Sequence, residues 1–394
     1  MKMKKWFIAL VVLAFVATAF AGCGSGNGGN GGDADGETIK IGANFELSGA
    51  VAKYGEDTME GIKLAVEEVN AAGGIDGKKV ELVTLDNTSD SAEAKAIATR
   101  LATQENVLAI IGPATTGATQ ATIPVTEENQ IAVITASGTA DNLTVKDDGT
   151  VNEYIFRICF YDSVQGKIGA NFAADNMGAK KVVLISDNSN DYSMGIAKSF
   201  KETLAESWTD VEIVREENIT AGDTDFSAVL TNIKAVDFDM IYAPVYDTEA
   251  ALLIKQARDL GIDAPIMGAD GFDSASAMGE VIGMENFNNV FFTGHFAAGD
   301  PMAVDFTALY QEKLNKEPNG FNALGYDLAN YVMQACERAE ELTKEGVHAA
   351  LLDGSTFSGV TGTFTLDEFH NPIKSVVVNE YVQGVPTFKA RVEP

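Results

Sequence analysis

The sequence is poor in histidine and lacks the short motifs that mark common enzyme and nucleotide sites. Its three histidines, His295, His348 and His370, lie far apart and in no spacing that metal ligands adopt. No glycine-rich phosphate loop with its lysine, no Gly-x-Gly-x-x-Gly after the first predicted strand and no Gly-x-Ser-x-Gly motif is present. We therefore predict no metal, no cofactor and no catalytic residues, with the histidines in packing or surface roles; an enzyme lacking these motifs stays the alternative.

Basic residues are scarce as well. The 28 lysines and arginines are outnumbered by 57 aspartates and glutamates, and the net charge is −29 at pH 7. Nucleic acids and anionic membrane surfaces attract proteins through basic patches, so this charge argues against both as partners. An acidic balance of this size is more often a general solubility feature than the mark of a cationic ligand.

Cysteine is rare, and its three positions call for different interpretations. Cys159 stands next to a predicted strand end and Cys336 lies inside a predicted helix. We expect both to be buried free thiols, with one disulfide between them as the alternative. Cys23 belongs to the leader.

Residues 1–22 form a leader rather than part of the fold. Three lysines precede an apolar run at residues 6–20, which is too short for a comfortable membrane span, and the small residues Ala21 and Gly22 stand before Cys23. This arrangement resembles a bacterial lipoprotein signal, which implies that Cys23 is lipidated. Residues 23–37 are rich in Gly, Asn and Asp and are predicted to be a flexible linker. We expect an extracytoplasmic protein, lipid-anchored to the outer face of the cell membrane.

The rest of the chain alternates between strand and helix patterns. Apolar residues recur at helical spacing over residues 56–72 and with strand-like alternation over residues 80–85, and similar pairs continue to residue 293. Such alternation predicts an α/β fold with mostly parallel sheets whose ligands lie beyond the carboxyl ends of the strands. The length exceeds one hydrophobic core, so we expect two lobes. Residues 362–385 instead predict antiparallel strands, with a turn at Asn371-Pro372.

Residues 108–120 contain an apolar strand that ends in small hydroxyl residues. Gly112-Pro113 stops the strand, and Thr115 and Thr116 follow at the start of a predicted helix. A helix N-terminus has unpaired N–H groups and partial positive charge, so this turn could bind a carboxylate; simple helix capping is the alternative. The next strand, residues 131–135, opens in the same way into Ser137 and Thr139.

Strand ends in the second half deliver different groups. Tyr192, Tyr246 and Asp270 each follow a predicted strand. Each has an ordinary interpretation, as a wall aromatic or a helix cap. Together with a carboxylate-binding patch in the other half, they would complete a site for a zwitterion, in which the acid and the phenol oxygens bind an ammonium.

Several segments together are similar to the branched-chain amino-acid-binding proteins of ABC importers, which have the type I periplasmic-binding-protein fold. They are residues 44–55 (NFELSGAVAKYG), 70–77 (NAAGGIDG), 111–116 (IGPATT), 160–166 (FYDSVQG) and 220–226 (TAGDTDF). The resemblance spans about residues 38–390. It implies two lobes joined by three crossings, residues 38–160 plus 293–376 and residues 161–292 plus 377–394, that close over a ligand.

The resemblance also implies roles for individual residues. The residues implied to bind the ligand's carboxylate are Thr116, Ser137 and Thr139, and those implied to bind its ammonium group are Asp270, Tyr192 and Tyr246. The ligand's side chain would contact Tyr54, Phe321 and Thr115, and Asp162 would lie at the first crossing. The implied partners are a branched-chain amino acid (Leu, Ile or Val) and ABC permease subunits, with the membrane reached through the lipid anchor only. We expect a monomer.

Two departures from the best-known members concern the pocket. Those members have Glu where Asp270 stands, and they carry a disulfide for which this chain has no cysteines. The alternatives within the fold are a receptor for other small amino acids, aromatic acids, amides or urea, or a sensory ligand-binding module.

Overall fold

The computed structural model describes residues 38–283 and 286–393. The predicted leader, the linker and the lipidation site at Cys23 lie outside these residues. None of the helices in the described ranges combines the length and the apolar character of a membrane span.

The first sheet has five parallel strands in the order β2-β1-β3-β4-β5. The strands are β1 (Ile39–Phe45), β2 (Val80–Asp86), β3 (Ile110–Ile111), β4 (Val133–Thr135) and β5 (Ile155–Arg157). Helices α1 (Ala52–Ala71), α2 (Ser91–Thr103) and α3 (Thr116–Asn129) connect them. The three central strands are buried on both faces, as expected of parallel strands covered by helices.

The second sheet has seven strands in the order β14-β13-β10-β9-β8-β6-β7. Strands β6 to β10 all run parallel to one another, whereas β13 runs antiparallel to both β10 and β14. The strands are β6 (Lys181–Asp187), β7 (Glu212–Ile219), β8 (Met240–Tyr242), β9 (Ile266–Gly268), β10 (Val290–Gly294), β13 (Val376–Val382) and β14 (Val385–Val392). Its helices are α4 (Asp162–Asn171), α5 (Asp191–Ser207), α6 (Ser227–Lys234), α7 (Asp247–Asp259) and α8 (Ala275–Ile282).

The segment after β10 returns to the first sheet before the chain ends on the second. It contains α9 (Val304–Leu314), α10 (Gly320–Arg338), α11 (Lys344–Leu351) and a short antiparallel pair, β11 (Phe357–Gly359) and β12 (Gly362–Phe364). Side chains of α10, α11 and both strands belong to the core of the first sheet. The chain therefore passes between the two sheets three times, after β5, after β10 and before β13.

Two glycines bring α1 and α10 into backbone contact. A Cβ atom on Gly61 would lie 1.9 Å from the carbonyl oxygen of Asn322, and one on Gly325 would lie 2.0 Å from that of Thr58. Any larger residue would push the helices apart. This close packing places the first turns of both helices side by side, where each contributes an aromatic ring to the cavity described below.

The turn predicted at Asn371-Pro372 is present but short: Leu366 and Pro372 form an isolated antiparallel bridge, and the amide of Asp367 donates to the carbonyl oxygen of Asn371 (2.8 Å). The long hairpin is β13–β14, and it turns at Gln383 and Gly384, both of which have positive φ (51° and 78°). A two-residue turn with two left-handed positions matches the twist of a hairpin, and this second turn was not predicted.

Both remaining cysteines are free and buried, as predicted. Burial raises the pKa of the Cys159 and Cys336 thiols to about 12. The two side chains behave as small apolar groups at neutral pH, because almost none of either is in the reactive thiolate form.

Candidate functional site

A small cavity lies where the carboxyl ends of strands from both sheets meet. The empty space between its walls measures about 220 Å³, part of which is open to solvent. The walls come from the first sheet's loops, the second sheet's loops and the first turns of α1 and α10. Its lining residues are Tyr54, Ala114, Thr115, Ser137, Tyr192, Tyr246, Asp270, Gly271 and Phe321. Seven of the nine residues predicted to contact a ligand thus lie together; Thr116 and Thr139 are the two that do not line the cavity.

The helix N-terminus predicted to bind an anion already binds one from within the chain. The carboxylate of Glu46 accepts hydrogen bonds from the amides of Ala114 (3.0 Å) and Thr115 (3.1 Å) and from the Thr115 hydroxyl (2.7 Å). Glu46 is fully buried. These donors at the start of α3 are therefore engaged. The sequence analysis missed Glu46, although an acid one residue beyond the end of β1 was a signal that could have been used.

The predicted carboxylate-binding hydroxyls connect two neighbouring loops. Ser137 Oγ donates to the carbonyl oxygen of Ala114 (2.8 Å), and Thr116 Oγ1 accepts from the amide of Ala140 (3.3 Å). Both hydroxyls lie beyond the ends of β3 and β4, as the strand pattern indicated. Thr139 is fully buried on the same loop as Ser137. Their role in binding a carboxylate stays a prediction.

A buried cation that the sequence analysis did not consider lies behind this wall. The guanidinium of Arg157 donates to the carbonyl oxygens of Gly138 (3.3 Å), Thr139 (2.7 Å) and Ala140 (2.8 Å). Burial lowers the pKa of Arg157, but an arginine retains its charge in proteins. The loop that carries Ser137 is thus held in place by a positive charge.

The opposite wall is organised around the carboxylate of Asp270. Tyr192 donates its hydroxyl hydrogen to Asp270 Oδ1 (2.9 Å), and His295 Nε2 lies 3.2 Å from Asp270 Oδ2. The amide of Asp270 donates to Gln165 Oε1 (2.8 Å), which also accepts from Thr293 Oγ1 (2.7 Å). Asp270 is 3% exposed. The acid is therefore fixed on both its backbone and its side chain.

His295 is a residue of this site that no sequence motif indicated. It is buried, and its ring stacks on Phe160 with centroids 3.7 Å apart and planes at 18°. A packing role was predicted for it, but not the contact with an acid 25 residues earlier in the chain. Burial lowers the pKa of His295 below the ordinary value of 6.5, so the ring is neutral at neutral pH.

Aromatic rings form the remaining walls. Tyr192 stacks on Tyr246 (centroids 4.7 Å apart, planes at 19°), and Tyr54 packs against Phe321 (4.6 Å) and against the edge of Tyr246 (5.7 Å). Burial holds the pKa of Tyr54 and Tyr192 well above the ordinary value of 10.0. Both hydroxyls are therefore neutral and able to donate hydrogen bonds.

The hydroxyl of Tyr54 joins the two halves of the site. It donates to the carbonyl oxygen of Gly271 (2.8 Å) and accepts from the amide of Asp247 (2.7 Å), both on the second sheet's side, whereas Tyr54 itself is on α1. A second contact of this kind links Asp273 Oδ2 to the amide of Gly320 at the start of α10 (2.9 Å). The cavity is thus closed by hydrogen bonds that connect the two sheets' loops.

Asp162 lies at the first passage between the sheets, where it begins α4. Its amide donates to the carbonyl oxygen of Thr139 (2.9 Å), and the side chain is fully buried. Burial raises the pKa of Asp162 well above its ordinary value, and the neighbouring Thr139 hydroxyl opposes this rise. In the described ranges, no group of three or more His, Cys, Asp or Glu side chains is arranged as a metal site.

Similarity to known proteins covers almost all the described residues. Residues 38–384 match the sequence profile of a family described as periplasmic binding protein. A Leu/Ile/Val-binding protein homolog from Brucella melitensis is 30% identical over 332 residues, 84% of this chain and 87% of the relative. One similar solved structure is that of LivJ, the substrate-binding protein of a branched-chain amino acid transporter from Streptococcus pneumoniae, in complex with isoleucine. It is 41% identical to this chain with a TM-score of 0.84, and the match covers 91% of this chain and 100% of LivJ. A leucine-binding protein, LivK, from Thermotoga maritima is 35% identical with a TM-score of 0.82, over 91% of this chain and 99% of its own.

Proposed function

This chain belongs to the periplasmic binding protein family, and from that premise we propose that it is the extracytoplasmic receptor of an ABC importer, which binds a branched-chain amino acid and delivers it to the permease. The observation that carries the proposal is the cavity between the two sheets. One of its walls has a buried acid and tyrosine hydroxyls, and the other has hydroxyls and the start of a helix. Relatives that bind branched-chain amino acids support the choice of ligand.

The α-amino-acid head would be held by both walls. Asp270, with the oxygens of Tyr192 and Tyr246, would accept hydrogen bonds from the ammonium group. Thr116, Ser137 and Thr139 would provide hydroxyls and backbone amides for the carboxylate, as the family resemblance implies. Hydrogen bonds to charged groups contribute about 1.5 to 3 kcal/mol each, so the head would supply most of the specificity for an amino acid.

The ligand's side chain would lie against the aromatic rings. Tyr54 and Phe321 offer apolar faces, and Thr115 completes this part of the lining. Burial of aliphatic carbon contributes about 0.8 kcal/mol per CH₂, which favours Leu, Ile or Val over Ala. The small size of the cavity argues against a ligand as large as a peptide.

Ligand binding would be coupled to closure of two lobes, residues 38–160 plus 293–376 and residues 161–292 plus 377–394, about the three chain passages that include Asp162. A ligand shifts such an equilibrium only through contacts that exist in the closed form. The hydrogen bonds of the Tyr54 hydroxyl to Gly271 and Asp247 would likewise form only when the two lobes are closed. The protein would act as a monomer, and lipidation of Cys23 would keep it at the membrane.

Thermal unfolding of the mature protein with each amino acid and with small amides tests the proposal. A ligand at a hundred times its dissociation constant adds about 2.7 kcal/mol of stability. We expect Leu, Ile and Val to raise the midpoint most, and ligand recovered after incubation to be chemically unchanged by mass spectrometry. A chain stabilised only by an amide or an aromatic acid would refute the choice of ligand, and turnover would refute a receptor role.

A further inference from the structure

We propose that His295 is a positioning residue for ligand binding: it holds the Asp270 carboxylate toward the cavity and ties it to the passages between the two sheets. The inference rests on the proposed function, because it assumes that Asp270 binds the ligand's ammonium group. His295 follows β10 directly, at the second passage, and is not among the residues that line the cavity.

The two oxygens of Asp270 are each held by one donor. Tyr192 donates to Oδ1 at 2.9 Å, and His295 Nε2 lies 3.2 Å from Oδ2. A carboxylate oxygen accepts about two hydrogen bonds, so each oxygen keeps capacity for an ammonium group. All three residues are at most 3% exposed, and water therefore does not compete for these contacts. The pair of donors fixes the plane of the carboxylate.

The charge of His295 suits this role. Because burial keeps the ring neutral, it donates one N–H from Nε2 without adding a positive charge beside the ammonium. This tautomer follows from pairing Nε2 with a carboxylate. A lysine in its place would instead neutralise Asp270 and repel the ligand. The charged groups that face the ring are Asp270 and Lys374, and Lys374 is held by the carbonyl oxygen of Ile158 (3.1 Å).

The ring also connects the acid to the first passage. It stacks on Phe160, which lies between β5 and α4, with centroids 3.7 Å apart. Gln165 on α4 adds a second link, because its Oε1 accepts from both the Asp270 amide and Thr293 Oγ1. The acid is therefore positioned by the two segments about which the lobes would move. A change in the geometry of the passages would change the orientation of the carboxylate.

Two substitutions separate the donor from the ring. His295→Phe keeps an aromatic ring for Phe160 and removes the N–H, whereas His295→Gln keeps a donor nitrogen near the position of Nε2 and removes the ring. Calorimetric titration of the mature protein with leucine should show that His295→Phe weakens binding about tenfold or more and that His295→Gln stays within about threefold of the wild type. Equal losses in both variants, or no loss in His295→Phe, would overturn the proposal.

His370→Phe is the matched control. His370 is also a buried histidine stacked on a phenylalanine, Phe156 (centroids 4.3 Å apart), and its Nδ1 lies 3.0 Å from the carbonyl oxygen of Ile155. It makes no contact with Asp270. We expect this variant to bind leucine like the wild type. If it lost as much affinity as His295→Phe, the loss at His295 would be explained by general destabilisation of the protein, and the positioning role would be refuted.

A measurement on the wild type covers the case in which the variants do not fold. Nitrogen NMR of the ligand-free protein should show His295 as a neutral ring protonated at Nε2, and leucine should shift that signal. A ring protonated at Nδ1, or a signal that leucine leaves unchanged, would overturn the positioning role. Absence of leucine binding by the wild type would instead refute the proposed function, so the two failures are distinguishable.

Discussion

Replacing Tyr54 by phenylalanine removes one hydroxyl from the closed cavity and leaves the aromatic ring in place. That hydroxyl donates to the carbonyl oxygen of Gly271 (2.8 Å) and accepts from the amide of Asp247 (2.7 Å), so both contacts reach the other side of the cavity. In an open form, the three groups would be hydrated. The substitution therefore acts on the closed form alone.

The size of the effect follows from these two hydrogen bonds. A neutral hydrogen bond contributes about 1 kcal/mol net, and a buried polar group without its partner costs somewhat more. Tyr54 is 2% exposed, so water cannot replace the lost hydroxyl without opening the cavity. We expect closure to become less favourable by about 2 kcal/mol, which corresponds to a roughly 30-fold weaker binding of leucine.

Calorimetric titration with leucine and with valine measures this loss. Affinity for both should fall by the same factor, because the ring of Tyr54 still packs against Phe321 and the apolar wall is unchanged. Tyr331→Phe is a suitable control, since Tyr331 is a buried tyrosine in the core of the first sheet and does not line the cavity. Wild-type affinity in Tyr54→Phe, or a changed preference between leucine and valine, would refute the role of the hydroxyl in closure.

Three further substitutions test the acids around the cavity. Asp270→Asn should weaken leucine binding by about 3 kcal/mol or more in calorimetry, because the ammonium loses its counter-charge in a dry site; a smaller loss would remove Asp270 from the ammonium contact. Glu46→Gln should lower the free energy of unfolding by about 2 kcal/mol in chemical denaturation. The glutamine side chain has one acceptor oxygen, whereas Glu46 uses one oxygen for the amide of Ala114 and the other for that of Thr115. Burial raises the pKa of Asp273 to about 7 from the ordinary 3.8, so the native state binds more protons than the unfolded state and the stability from this group falls as pH rises between these values. Asp273→Asn should flatten that fall in thermal unfolding from about pH 4.5 to pH 8, and an unchanged pH slope would contradict it.

The alternation of helices and strands was readable in the sequence because parallel strands are buried on both faces. Runs such as residues 108–111 and 131–134 are apolar throughout, and helices between them have apolar residues on one side. The pattern does not give strand order or the pairing of the last strands. The turn of the β13–β14 hairpin was missed because Gln383 has no strong turn preference, although it adopts a left-handed φ of 51° there.

Residues at strand ends were the predictable part of the site. Thr115, Ser137 and Asp270 come two to four residues after the ends of strands, and the carboxyl ends of parallel strands meet at one edge of a sheet. Tyr54 and Phe321 lie on two helices far apart in the chain, and only the family resemblance indicated them. Their contact depends on the close approach of α1 and α10, which requires glycine at specific places rather than any local pattern.

The positions of charged residues near strand ends can be read from the sequence, but their contacts could not be predicted, because the partners are distant in sequence and are mostly backbone groups. Glu46 contacts amides 68 and 69 residues later, and Arg157 contacts carbonyl oxygens up to 19 residues earlier. Neither contact leaves a motif. A sequence pattern shows that an acid or a base is present near a strand end, but not which loop it will hold.

These charges give the proposed site a polarity that bears on the kind of ligand. On one side, the guanidinium of Arg157 lies behind the loop of Ser137, and the Glu46 carboxylate already accepts hydrogen bonds from the amides of Ala114 and Thr115. The carboxylate of Asp270 forms part of the opposite wall. No lysine, arginine or histidine is among the residues that line the cavity. A carboxylic acid without an amino group would find neutral donors on one wall but would place its apolar body against the buried Asp270 carboxylate, leaving that charge without a partner. An α-amino acid would place its ammonium beside Asp270 and its carboxylate on the opposite wall, and the proposed site therefore favours a zwitterion over an aromatic acid.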